Sequence, residues 1–178
     1  METLVRLAEQ ARSGDRLALE TLLKRSAPIL HAAARARLGD SLAADGAVVD
    51  SLTRIARGVR GLKTADAYPQ WAYRIAARCA LAVARRPDLR LVDPAAADRH
   101  PAPTHGPVDT LVAAERRQRV RDEIRSLARR LREPVYLHYV EGLEQRAIAR
   151  LLDTSLATVN RRLRRALEIL RSRLGESR

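Results

Sequence analysis

The 178 residues contain no phenylalanine and a single cysteine, tryptophan and methionine each. One cysteine, Cys79, excludes an internal disulfide framework and suits a reducing compartment. No run approaches the roughly 18 uninterrupted apolar residues that a membrane span needs. Met1-Glu2-Thr3 opens neither a basic nor an apolar leader, so no secretory signal and a cytoplasmic location are expected. His31, His100, His105 and His138 show no metal-ligand spacing with one another or with Cys79. A phosphate-cradling glycine loop and a strained nucleophile turn are also missing, and the carboxylates are scattered. No enzymatic activity, metal or cofactor is expected.

Acidic residues are scarce as well. Asp and Glu total 21 against 34 Lys and Arg, giving a net charge of +13. Such an excess calls for an anionic partner, and phosphate neutralisation makes nucleic acid the first candidate. Strand-type alternation of useful length is absent throughout, so the fold class is all-α.

Proline divides the chain. Five of the eight prolines (Pro87, Pro94, Pro101, Pro103 and Pro107) fall within 21 residues. Each removes a backbone donor and pushes its predecessor out of helical geometry, so residues 87–109 read as a flexible linker. Charge follows the same division: +7 over residues 1–86, −2 over 87–109 and +8 over 110–178. Two small basic helical domains flank a mildly acidic tether.

In the first domain Leu4, Leu7, Ala8 and Ala11 repeat at helical spacing until Ser13-Gly14-Asp15 supplies a stop and a fresh N-cap. An apolar stripe follows through Leu19, Leu22, Leu23, Ile29 and Leu30, with Gly39-Asp40 as the next break. Further helices are expected near 44–59 and 66–86. The second domain should begin at a cap on Asp109 or Thr110.

The informative stretch is 141–166. A short helix would bury Ile148, Ala149 and Leu152, and Asp153 occupies a turn that needs left-handed backbone. A second helix starting near Ser155 places Val159, Leu163, Ala166, Leu167, Leu170 and Leu174 on one side. Thr158, Arg161, Arg162 and Arg165 lie opposite, with Asn160 and Arg164 flanking. Glu168 is the only acid between Asp153 and Glu176, so these arginines form no mixed-sign surface ladder. Apolar behind and guanidinium in front is the form of a helix that enters a major groove. Ser155, Thr158, Asn160, Arg161, Arg162, Arg164 and Arg165 are therefore the candidate DNA-reading residues.

Arg132-Glu133 through Leu137, Tyr139 to Leu143, Ile148-Ala149, Leu152, Thr158-Val159, Arg162-Leu163 and Arg165-Ala166 resemble region 4 of bacterial sigma factors of the extracytoplasmic-function subgroup. Ala11 to Arg16 with Ala18 and Leu19 resemble the opening of sigma region 2, and Tyr68 to Ala76 with Leu81 and Arg85-Arg86 resemble its −10 helix. The resemblance implies an alternative sigma factor with a region 2-like domain (1–86) and a region 4-like helix-turn-helix domain (110–178). Its expected partners are promoter DNA, the β′ clamp and β flap of RNA polymerase core, and an anti-sigma protein. The −10 element would be engaged by Trp71, Tyr73, Arg74, Arg78, Arg85 and Arg86, since unpaired bases stack on aromatics while arginine holds phosphate. Asp45, Val48, Asp50 and Arg54 would grip the polymerase.

Departures from the family pattern cluster in the first domain. Gly46 and Val49 stand where an acid and a glutamine are usual, and Arg78 and Ala82 replace an Asn and an Asp. Leu19 and Leu52 take aromatic positions without loss of apolar character. In the second domain Arg161 and Arg164 replace a Ser and a His, and Asp153 replaces a Gly. A sigma-like DNA-binding regulator with weakened polymerase binding, or a mimic that occupies an anti-sigma protein, are the competing readings.

Overall fold

A computed structural model describes residues 2–39, 42–85 and 107–175. Arg86 and residues 87–106 of the expected linker lie outside the described residues, as do Gly106 and the two linker histidines.

Eight α-helices succeed one another with no strand among the described residues: α1 (Glu2–Arg12), α2 (Arg16–Leu38), α3 (Leu42–Gly58), α4 (Tyr68–Ala84), α5 (Pro107–Ser126), α6 (Arg129–Val135), α7 (Gln145–Leu151) and α8 (Leu156–Gly175). The first four form one bundle and the last four another. Helix α5 already starts at Pro107, ahead of the expected cap. Proline is well tolerated there, because the first-turn amide it lacks would have had no helical acceptor.

Helix α2 is the spine of the first bundle. The Asp15 carboxylate caps it by accepting from the backbone amides of Leu17 at 2.9 Å and Ala18 at 3.0 Å. Asp15→Ala should cost about 0.5–2 kcal/mol, read as a lower urea midpoint with an unchanged slope. Ala32, Ala33, Ala34 and Ala36 of α2, Ala44 and Ala47 of α3, and Ala72, Ala76 and Ala80 of α4 are all buried. Small side chains at the crossings let the helices approach closely, so the bundle fills its interior without phenylalanine. Leu22, Leu30, Ile55 and Val59 are fully buried between them. Tyr68 is fully buried too, its hydroxyl 2.7 Å from that of Ser26. Burial pushes the Tyr68 phenol up to about 12, with the Ser26 hydrogen bond opposing.

In the second bundle Leu131, Val135, Leu137, Ile148, Val159, Leu163, Ala166 and Leu170 form the core. Helix α6 runs into a π-helical turn over Tyr136–Val140, closed by the Glu141 amide on the Tyr136 carbonyl at 3.0 Å. His138 ties this turn to the following loop, its Nδ1 lying 2.8 Å from the Leu143 carbonyl.

The two bundles pack on each other through charge. Arg37 of α2 meets Glu133 of α6 at 2.7 Å, both side chains nearly enclosed. Arg35 lies 3.4 Å from Glu141. Burial raises the Glu141 carboxyl above its ordinary value, and the Arg35 charge pulls it back. Tyr73 of α4 is buried beneath the Arg37 guanidinium, 6.0 Å from its ring centre. Gly39 ends α2 at φ +72°, where a Cβ would run into the Arg125 guanidinium. Any other residue would be strained there and would displace that arginine.

Candidate nucleic-acid interface

Helices α7 and α8 form a helix-turn-helix. Ile148 and Ala149 are buried and Leu152 is partly so. Asp153 turns the chain at φ +53°, the left-handed backbone expected of it. Ser155 caps α8: its Oγ accepts from the Thr158 amide at 3.1 Å and donates to Thr158 Oγ1 at 2.9 Å. Its hydroxyl is thus occupied in holding the helix start.

Val159, Leu163, Ala166 and Leu170 anchor α8 to α6 and α7. On the outer side Arg161, Arg164 and Arg165 are exposed and Arg162 is half-buried. Arg165 pairs with Glu168 at 3.1 Å, an exposed contact worth little. Arg161, Arg162 and Arg164 have no acidic partner among the described residues. Asn160 is half-buried, and its carbonyl oxygen is enclosed without a hydrogen-bond partner among the described residues. A surface cavity of about 590 Å³ is lined by all four arginines and by Arg130 of α6. Arg130 was not among the residues singled out from the sequence. Its signal was available: Arg129-Arg130 opens the helix whose Leu131 packs in the core behind α8.

Arg74 and Arg78 of α4 and Arg85 at its C-cap are exposed, and Trp71 is half-buried. Trp71 lies over the Gly58 backbone, where a Cβ would meet its ring at 3.1 Å, with Tyr68 6.1 Å away. Tyr73 was expected to face unpaired bases, but only 5% of it is exposed, so its ring is closed off in this arrangement. Burial raises its phenol further than that of Tyr68. Arg74 reaches across to Asp153 of the helix-turn-helix at 3.4 Å.

Helix α3 corrects one expectation. Val48 was placed on the polymerase-gripping surface, yet it is 4% exposed and part of the core. Helical phase turns the next residue outward instead, leaving Val49 64% exposed. Asp50 and Arg54 are exposed and paired with each other at 3.2 Å. Asp45 lies 3.7 Å from His31 Nδ1.

Known proteins match this arrangement. Residues 117–170 match the family Sigma-70, region 4. The ECF RNA polymerase sigma-E factor of Haemophilus influenzae is 27% identical over 136 residues, spanning 71% of this chain and 72% of that protein. The structure of CnrH in complex with the cytosolic domain of CnrY superposes with a TM-score of 0.68 at 23% identity, covering 99% of each chain. The helix-turn-helix is thus similar to sigma-70 region 4, and most of the chain is similar to an ECF sigma factor.

Proposed function

We propose that the chain is an alternative sigma factor that binds RNA polymerase core and directs it to promoters through −35 and −10 elements. The observation that carries this reading is the outer side of α8, where Arg161, Arg162 and Arg164 stand without acidic partners among the described residues, beside a capped helix start. Uncompensated guanidiniums at this density repel one another unless phosphate or guanine covers them. Helix α8 would read the −35 element in the major groove, with Arg130 holding a flanking phosphate. Trp71, Arg74 and Arg78 on α4 and Arg85 at its C-cap would take the unpaired −10 strand. The half-buried Asp45 and the exposed Asp50 and Arg54 on α3 would meet the β′ clamp, and the second bundle the β flap. With these partners the protein would act in the cytoplasm. The family resemblance also implies an anti-sigma protein as a further partner, and CnrH is seen in complex with the cytosolic domain of CnrY.

Two features of α3 favour a second reading, a DNA-binding regulator with weakened polymerase affinity. Val49 stands exposed where the family carries glutamine, and Asp50 and Arg54 neutralise each other. Co-purification with core polymerase from the native host separates the two. A sigma factor co-elutes with core and, with it, protects an upstream element; a regulator protects the element alone and leaves core in the flow-through.

A further inference from the structure

A second cavity, of about 630 Å³, opens between the two bundles. Its volume is in the range of small-molecule sites, roughly 300–1,000 Å³. Trp71 supplies an aromatic wall and Leu62 and Leu81 an apolar floor, while Arg74 and Arg78 line it from α4 and Arg129 from α6. Arg78 and Arg129 have no acidic partner among the described residues. The Asp153 partner of Arg74 is 3.4 Å away and mostly exposed, an attraction that a closer anion would outweigh.

We propose that this cavity binds a nucleoside polyphosphate. A flat, partly apolar wall suits a base, and three guanidiniums at its edge suit a chain of phosphates. Inorganic phosphate would leave the Trp71 side of the cavity unused. A single-stranded −10 segment would draw on α4 but requires nothing from α6, so Arg129 is the residue that sets this site apart. Because its walls come from both bundles, the ligand binds their packed arrangement and favours it by linkage. The regulatory consequence, that the nucleotide opposes promoter engagement, rests on the proposed reading of α4; the site itself does not.

Trp71 is the only tryptophan, so its fluorescence reports directly on the cavity. The full chain is titrated in parallel with GTP, guanosine, sodium tripolyphosphate and a −10-type single-stranded oligonucleotide. Saturable quenching by GTP is expected, with guanosine and tripolyphosphate each at least tenfold weaker. Arg129→Ala should weaken GTP at least tenfold and leave oligonucleotide binding within twofold, while Arg129→Lys retains most of the GTP affinity. An unchanged far-UV circular dichroism spectrum checks that both variants fold. The proposal is overturned by three results: no saturation with GTP, tripolyphosphate binding as tightly as GTP, or indifference to Arg129→Ala. GTP binding without oligonucleotide binding would instead remove the −10 role of α4 and leave the nucleotide site standing.

Discussion

Replacing Arg162 with alanine is expected to lower affinity for a −35-type duplex about 5- to 150-fold, or about 1–3 kcal/mol, and to relax sequence preference at one base pair. Arg162 is the better probe than Arg165, whose guanidinium is shared with Glu168 at 3.1 Å. Among the described residues it has no acidic partner to release, so its loss subtracts a contact from the complex and little from the free protein. Arg130→Ala should behave differently. As a phosphate contact it would weaken every duplex to a similar extent and reduce the salt slope by about 1. Titrations of cognate and scrambled duplexes at several salt concentrations tell the two apart. Uniform weakening in the Arg162 variant would assign that side chain to phosphate.

The second large effect concerns the contact between the bundles. Glu133→Ala leaves Arg37 enclosed without its counter-charge, and breaking a buried pair from one side typically costs about 3–5 kcal/mol. The chain has an escape, since separating the bundles returns Arg37 to water. Opening rather than global unfolding is therefore expected: a larger radius of gyration and faster amide exchange in the C-terminal half of α2 and in α6. An unchanged radius with unchanged exchange would show that the pair contributes little. The neighbouring Glu141 acts with the opposite sign. Its folded carboxyl lies above the ordinary value of 4.5, chiefly through burial, so its contribution is most favourable below that pH and fades as pH rises through the folded value. The native chain should accordingly gain stability relative to Glu141→Gln as pH falls toward about 4.5. A constant difference across that range would contradict the assignment.

Much of this architecture was legible because it is local. The three- and four-residue spacing of Leu4, Leu7, Ala8 and Ala11, the Asp15 cap and the Gly39 stop depend on near neighbours, and the helices fall within a few residues of their expected limits. The turn at Asp153 and the buried side of α8 follow from the same short-range geometry. What escaped depends on tertiary packing. Nothing in the spacing of Arg35 and Arg37 announces carboxylates about a hundred residues later, and the proline-rich segment between them reads as a tether. Tyr73 read as a base-stacking aromatic because its chemistry fits; only the packing of α2 on α6 encloses it. Val48 and Val49 differ by one position on a helix, a shift of about 100° that alignment to a family pattern does not resolve as surely as burial does. Arg130 escaped because it comes from another helix, and only packing brings α6 beside the arginines of α8.

Reconstituted transcription tests the central claim most directly. The purified chain is mixed with core polymerase from its own host and with promoter fragments drawn from the same genome. A sigma factor yields run-off transcripts that require the chain, start downstream of paired −35 and −10 elements, and fall sharply with Arg162→Ala. Core that binds the chain yet makes no transcript from any such fragment would contradict the assignment.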